Sequence, residues 1–345
     1  MELPDFPADT TLMSADNRRH GPFLHGLTDG IHIRKIRIPT VRGSIPAMIL
    51  SPQAAPTNAT GILWLHGGGY IVGMKEMVFM SRAVDLVKRF GAVVLSPGYR
   101  LAMLSPYPTA MDDCYAALLY LKENAAALGA RSDQLMVGGE SAGGGLCAAV
   151  CIRARDEGQV NVAFQMPLYP MLDDRDTETS RNNHGKVWNT RRNHLAWRLY
   201  LRGTNRAPLS PYAAPARLTD FSGLPPAYSF VGDGEPFFAE TICYFEKLKA
   251  AGIPAELDIY HTDMHAFDMM QPNTLLSIQA AETFTRHFVH AQKHFFAPHE
   301  AFCQVLFELL TQIIVKVRKC KVQRVCVLHF QLAGSRGFFL MKLYH

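Results

Sequence analysis

The chain has 345 residues, of which 48% are hydrophobic and 19% charged, and its formal net charge is +5. This composition is typical of a folded globular protein and is neither that of a disordered chain nor that of a membrane-spanning one. Seven Lys and Arg against two Glu in residues 295–345 account for the whole net charge, so the rest of the chain is neutral and a nucleic-acid partner is not expected.

Strands and helices are predicted to alternate along most of the chain. Residues 31–52 have the pattern of a hairpin with its turn at residues 42–44. Further strands are predicted at 61–66, 92–96, 134–138, 162–168, 227–231 and 256–260, and helices at 77–90, 108–128, 141–157, 236–251 and 274–292. This alternation is typical of an α/β protein with a mostly parallel sheet, helices on both faces and a ligand site beyond the carboxyl ends of the strands.

A glycine-rich loop, made of His66, Gly67, Gly68 and Gly69, ends the strand predicted at 61–66. Glycines allow the backbone to approach a bound oxygen closely, so their N–H groups can face developing negative charge. A phosphate-binding loop is the alternative, but the Lys and Ser/Thr of a P-loop are absent.

The segment from Gly138 to Gly145 joins the strand predicted at 134–138 to a helix, with Ser141 at the corner. Gly139 and Gly143 leave both sides of this serine without side chains, as a strained corner requires. The pattern predicts a nucleophile elbow with Ser141 as the nucleophile. The N–H of Ala142 would then complete an oxyanion hole with Gly68 and Gly69.

Residues 173–216 interrupt the alternation, because they are polar and rich in Arg and Asn. A long excursion between two core strands is commonly a lid over a site; the alternative is a surface helix pair with no role in binding. Three aromatic residues are predicted to contact the substrate: Tyr70, which follows the glycine-rich loop, and Trp188 and Trp197 in the excursion.

The base and the acid of a serine nucleophile are expected after later strands, in the order serine, acid, histidine. His265 follows the strand at 256–260 and is the predicted base, with His261 as its neighbouring rival. Asp233 and Glu235 follow the strand at 227–231. Either carboxylate could orient the imidazole, and their spacing does not choose between them.

Seven cysteines without C-x-x-C or disulfide-framework spacing indicate free thiols, and no metal-type His/Cys cluster is visible. The N-terminus has no basic segment followed by an apolar run, and no apolar stretch is long enough to cross a bilayer. We therefore expect a cytoplasmic protein without stable membrane insertion; the sequence does not indicate the oligomeric state.

Together the motifs resemble the hormone-sensitive-lipase-like branch of the α/β-hydrolase esterases. Besides the glycine-rich loop and the elbow, the resemblance rests on residues 99–102, 169–175 and 265–267, and it extends from about residue 31 to 288. It implies the α/β-hydrolase fold, a helical cap, and a carboxylesterase or lipase-like enzyme that acts on small esters of short to medium acyl chains without cofactor or metal. Glu235 aligns with the acid of the family's motif, and this alignment favours Glu235 over Asp233 as the triad acid.

The resemblance also implies a division of the chain into five parts. These are an N-terminal cap segment (1–30), a core in two parts (31–172 and 217–294), a cap insertion (173–216) and an atypical C-terminal extension (295–345), which contains an expected amphipathic helix at 301–317. Two other classes of function remain open. One is an amide or formamide hydrolase with the same triad, and the other is a non-catalytic ligand receptor, which the presence of His265 disfavours.

Overall fold

A computed structural model describes residues 28–204, 208–297, 328–333 and 338–343. Contacts divide the chain into two units, the first ending at Ala297 and the second beginning at Pro298. Most of the expected N-terminal cap segment, and the helix expected at 301–317, lie outside the described residues.

An eight-stranded sheet forms the centre of the first unit, in the spatial order β1-β2-β4-β3-β5-β6-β7-β8. The pairs β1/β2 and β2/β4 are antiparallel, and the others are parallel, which confirms the predicted hairpin and the mostly parallel sheet. The strands are β1 Ile31–Thr40, β2 Gly43–Pro52, β3 Ala59–Leu65, β4 Val93–Pro97, β5 Ala130–Glu140, β6 Phe164–Leu168, β7 Ala227–Gly232 and β8 Ala255–Tyr260.

Helices cover both faces of this sheet, which makes the unit an α/β fold. They are α1 Ala83–Phe90, α2 Thr109–Glu123, α3 Ala142–Glu157, α4 Thr190–Tyr200, α5 Phe238–Ala250, α6 Phe267–Met270 and α7 Leu275–His294. Successive side chains of a strand point to opposite faces. Accordingly Leu63 and Leu65 of β3 pack in the apolar cluster of α2 and α3, whereas Ile62 and Trp64 pack in that of α1 and α7.

Three of the differences from the sequence prediction have a local reason. The hairpin turn is Val41 and Arg42, because Thr40 already pairs with Gly43. The helix expected at 77–90 is divided into a 3₁₀ turn and α1, because Ser81 is extended and its Oγ accepts from Ala83 N at 3.1 Å. Strand β5 begins four residues early, because Ala130 pairs with β3.

The excursion at 173–216 lies between β6 and β7 and contains α4 and the 3₁₀ turn Pro215–Arg217; residues 205–207 are not described. A bidentate ion pair between Asp174 and Arg217, with N–O distances of 2.8 and 3.0 Å, joins its two ends. Thr179 also contacts the loop before α5, since its Oγ1 donates to Pro236 O at 3.0 Å. The excursion is therefore tied both to its own base and to the loop that carries Glu235.

In the second unit, the described residues form one antiparallel hairpin of β9 Leu328–Ala333 and β10 Phe338–Leu343. No helix within the described ranges of the chain has the length and apolar character needed to cross a membrane.

Candidate active site

Ser141 occupies the sharp corner between β5 and α3. Its φ of 57° and ψ of −118° are unusual for a residue with a side chain. Its N–H donates to Leu168 O and its carbonyl accepts from Met171 N, both at 3.0 Å. These two bonds, one to the last residue of β6 and one to the segment after it, hold the strained corner in place.

The glycines around Ser141 are required by close backbone packing. A Cβ on Gly143 would lie 2.0 Å from Leu65 O, and one on Gly139 would lie 2.5 Å from the same oxygen. Both distances are far below van der Waals contact, so neither position accepts a side chain. The end of β3, and the glycine-rich loop that follows it, can therefore lie directly against the elbow.

His265 and Glu235 reach Ser141 from two loops at the carboxyl end of the sheet. His265 Nε2 lies 2.8 Å from Ser141 Oγ, and His265 Nδ1 is hydrogen-bonded to Glu235 Oε2. All three side chains are buried. The structure thus brings together a hydroxyl, an imidazole and a carboxylate in one hydrogen-bonded chain.

The rival acid and the rival base pair with each other instead. Asp233 Oδ2 lies 2.8 Å from His261 Nδ1, and the other Asp233 oxygen accepts from Thr262 N at 3.1 Å. The His261 side chain is 99% exposed. Neither residue is hydrogen-bonded to Ser141 or His265, so of the two carboxylates only Glu235 is bonded to the imidazole of His265.

Burial raises the pKa of Glu235, and the neighbouring imidazole opposes this shift by charge and hydrogen bonding. Glu235 Oε1 has no hydrogen-bond partner among the described residues. The carboxylate is therefore poorly solvated and directs its interaction to His265. A positive charge on that ring would be stabilised by the ionised acid beside it.

The glycine-rich loop lies against the elbow, since a Cβ on Gly67 would be 3.4 Å from Ser141 Cβ. Within the part of the chain that the structure describes, the N–H groups of Gly68, Gly69 and Ala142 donate no hydrogen bond. They are the three donors predicted from the sequence. They remain available to an oxygen atom bound at Ser141.

His66 supports this loop from behind. Its ring stacks on Tyr99 at 4.1 Å, and its Nδ1 donates to Gly67 O at 2.8 Å. The hydroxyl of Tyr99 donates to His66 O. Burial lowers the pKa of His66 from 6.5 to about 4, so this imidazole is neutral near pH 7 and adds no charge to the loop.

The structure separates the three aromatic residues predicted to contact substrate. Trp188 reaches the site, because its ring covers Gly69, where a Cβ would be 2.2 Å away, and lies 6.5 Å from the His265 ring. Tyr70 and Trp197 are packed 5.5 Å apart in an aromatic cluster with Tyr200. The Tyr70 hydroxyl already donates to Met171 O at 2.8 Å. A direct substrate contact for these residues stays a prediction.

Several buried polar residues near the site were not assigned a role from the sequence. Glu140, directly before Ser141, accepts from Trp64 Nε1 at 2.8 Å, and burial raises its pKa to about 8. Asp268 follows His265 by three residues and accepts from the Tyr169 hydroxyl at 2.8 Å. Glu140 stands at the variable position of the elbow motif and Asp268 lies just beyond the histidine motif, so the sequence carried no signal for either carboxylate beyond its position next to Ser141 or His265. No group of three or more His, Cys, Asp or Glu is arranged for a metal ion within the described ranges.

The fold and the site define an α/β hydrolase with a Ser–His–carboxylate arrangement. The sequence profile of a family with the alpha/beta hydrolase fold matches residues 62–269. The chain therefore belongs to this family, in the hormone-sensitive-lipase-like branch that its motifs resemble.

Individual relatives agree with this assignment. Carboxylesterase NlhH of Mycobacterium tuberculosis is 34% identical over 233 residues, which cover 65% of this chain and 71% of that protein. Ethyl acetate hydrolase of Pseudomonas putida is 29% identical over 222 residues, covering 64% and 70%.

Solved structures show the same likeness. Esterase LipW of Mycobacterium marinum matches with a TM-score of 0.72 at 30% identity, covering 78% of this chain and 83% of that one. A bacterial heroin esterase matches with a TM-score of 0.70 at 34% identity, covering 74% and 82%.

Proposed function

We propose that this chain hydrolyses carboxylic esters of short to medium acyl chains through Ser141, His265 and Glu235. The observation that carries the proposal is the 2.8 Å contact between Ser141 Oγ and His265 Nε2, with Glu235 on the opposite ring nitrogen. Relatives named as a carboxylesterase and as an esterase support ester bonds as the target.

In the first half of the reaction, Ser141 Oγ attacks the ester carbonyl carbon while its proton passes to His265 Nε2. The N–H groups of Gly68, Gly69 and Ala142 bind the oxyanion of the tetrahedral intermediate. Each such donor typically stabilises a transition state by about 3 kcal/mol. Glu235 stabilises the imidazolium, which then donates its proton to the departing alkoxide as the C–O bond breaks.

In the second half, His265 removes a proton from water, which attacks the acyl carbon of the acyl-enzyme. Collapse of this intermediate breaks the bond to Ser141 Oγ and returns the proton from Nε2 to the serine. The chain of events needs a water molecule and the ester but no further group. A carboxylic acid and an alcohol are released.

Trp188 is proposed to limit the size of the acyl group. Its ring occupies the space above Gly69, next to His265, where a substrate bound at Ser141 would extend. A relative named as an ethyl acetate hydrolase supports a short acyl chain. The excursion at 173–216 would act as part of the cap over the site. The cytoplasmic location of the protein remains a prediction.

Kinetics on p-nitrophenyl esters from acetate to laurate test the activity and its chain-length range. We expect the highest kcat/KM among the short to medium esters and no hydrolysis by Ser141→Ala. Trp188→Ala should shift the preference towards longer acyl chains. No hydrolysis of any ester by the folded wild-type chain would contradict the proposal.

A matched pair of substrates distinguishes an esterase from an amide hydrolase with the same triad. p-Nitrophenyl acetate and p-nitroacetanilide share one acyl group, but the amide has the poorer leaving group, which must be protonated. We expect turnover of the ester alone. Comparable kcat/KM on the anilide would favour the amidase instead.

A further inference from the structure

The imidazole of His265 is held in two different ways. Ser141 and Glu235 hold its two nitrogens by hydrogen bonds. Two aromatic rings contact the imidazole edge to face and restrict its tilt. These are Phe237, with ring centroids 5.0 Å apart and planes at 84°, and Tyr169, at 5.2 Å and 81°.

Two hydrogen bonds, one from the backbone and one from the side chain, hold Tyr169 in place in addition to its packing. It directly follows β6 with a φ of 33°, and its N–H donates to Phe230 O on β7 at 3.1 Å. Its buried hydroxyl donates to Asp268 Oδ1 at 2.8 Å. A phenylalanine would fill nearly the same volume, so the hydroxyl serves the contact with Asp268.

Asp268 belongs to the same loop as His265. It lies in α6, which begins after Ala266 adopts a left-handed conformation with φ of 55°. Its second oxygen lies 3.3 Å from Arg82 Nε, an ion-pair contact without hydrogen-bond geometry. Burial raises the pKa of Asp268, and the charge of Arg82 and the hydrogen bond from Tyr169 oppose this shift.

Asp268 therefore connects the loop that carries His265 to two other elements. These are the end of β6, through Tyr169, and the start of α1, through Arg82. A buried carboxylate is weak evidence for stability, because removing it from water is costly. Asp268 lies three residues after His265 and binds the hydroxyl of the tyrosine that packs against the imidazole. This placement indicates that Asp268 helps to position the imidazole.

We propose that Tyr169 and Asp268 are positioning residues, whose hydrogen bond fixes the orientation of His265 towards Ser141. The inference rests on the proposed function. If the imidazole is displaced by a fraction of an ångström, the site still binds substrate, but His265 transfers the proton less well. The effect of losing the bond should therefore fall on kcat, with little change in KM.

The experiment is a double-mutant cycle of Tyr169→Phe, Asp268→Asn and the double variant, with active sites counted by burst titration. We expect Tyr169→Phe to lower kcat about ten- to a hundred-fold with KM within about twofold. The double variant should lose little more than the larger single change, because both remove one interaction.

A matched tyrosine–carboxylate pair on the sheet provides the control. Tyr228 donates to Asp258 Oδ2, also at 2.8 Å, away from the site. Tyr228→Phe should lower stability but leave kcat unchanged. An unchanged kcat in both Tyr169→Phe and Asp268→Asn, or an equal loss in Tyr228→Phe, would overturn the inference.

Labelling of Ser141 by a fluorophosphonate separates this inference from the proposed function. Wild-type chain that reacts, with a slower rate in Tyr169→Phe, supports both. Equal rates in the two proteins overturn the positioning role alone. No reaction of folded wild type overturns the proposed function and the inference together. If Tyr169→Phe does not fold, the rate of Asp268→Asn gives the same comparison.

Discussion

At the scale of single residues, the site depends on which carboxylate reaches the imidazole. Glu235 and Asp233 are two positions apart on one loop, yet Glu235 is buried against His265 while Asp233 pairs with the exposed His261. The loop turns between them at Gly234, where a Cβ would lie 3.0 Å from Asp263. This turn sends the two side chains to different histidines.

Replacement of each carboxylate tests this assignment. Glu235→Gln should lower kcat by up to about four orders of magnitude, because the amide can neither stabilise an imidazolium nor select the productive tautomer. Asp233→Asn is the matched control and should leave kcat within about twofold. Steady-state kinetics on one ester decide the matter, and the reverse pattern would refute the role of Glu235.

Glu140 should make stability depend on pH. Burial raises the pKa of its carboxyl to about 8 in the folded chain, against the ordinary value of 4.5 in the unfolded chain. Between these two pH values the folded chain therefore keeps a proton that the unfolded chain releases. The free energy of unfolding therefore falls as pH rises through this window, by about 1.4 kcal/mol per unit at most.

Glu140→Gln should remove this dependence, since the amide is always neutral and its oxygen can still accept from Trp64. Urea denaturation at pH 6.5 and 8 measures the difference in stability between variant and wild type. We expect the free energy of unfolding of the variant, relative to that of wild type, to be larger at pH 8 than at pH 6.5. His66 is present in both proteins, so its own proton release cancels in this difference. A constant difference would show that Glu140 is ionised in the fold.

At the scale of elements, the strand-to-helix corner is held by backbone packing between β3, β5 and α3. The carbonyl of Leu65, the last residue of β3, lies where a side chain on Gly143 would have to be. The glycine-rich loop can follow β3 onto the elbow only because this position has no side chain.

Gly143→Ala should therefore prevent folding or lower the free energy of unfolding by several kcal/mol. Gly252→Ala is the control, because Gly252 has a φ of +77° but nothing within 4 Å of an added Cβ. It should cost only about 1 kcal/mol, from its backbone conformation alone. Denaturation midpoints compare the two variants, and equal losses would contradict the packing argument.

The elements that local sequence determines were predictable, and those set by distant contacts were not. Ser141, His265 and the glycine-rich loop stand in short motifs next to strand ends, so their neighbours in sequence identify them. The stacking of Tyr70 on Tyr200 at 4.1 Å depends instead on how the excursion folds over the core. The hydrogen bond from Tyr169 to Asp268 joins residues 99 apart, and no local pattern announces it.

At the scale of the whole molecule, the first unit completes its own core. Ala297 N donates to Asp133 O at 2.8 Å, Phe295 stacks on Phe164 at 5.5 Å, and Gln134 Nε2 donates to Gln292 O at 2.7 Å. These contacts fasten the end of α7 to the start of β5 and β6. All of them precede Pro298.

A chain that ends at Pro298 should therefore keep the kcat/KM and the thermal midpoint of the full chain. A chain that ends at His290 is the control and should melt at a lower temperature, because it lacks the contacts of Gln292 and Phe295. Thermal denaturation and ester kinetics on the three proteins test this. Insoluble or inactive protein ending at Pro298 would show that the later residues are needed.

If His265 and Glu235 make Ser141 a nucleophile, mass spectrometry after fluorophosphonate treatment should show the product of its reaction. We expect one covalent adduct on the peptide that contains Ser141, no adduct in Ser141→Ala, and much slower labelling in His265→Ala. A folded wild-type chain without an adduct, or with its adduct on another residue, would contradict the claim.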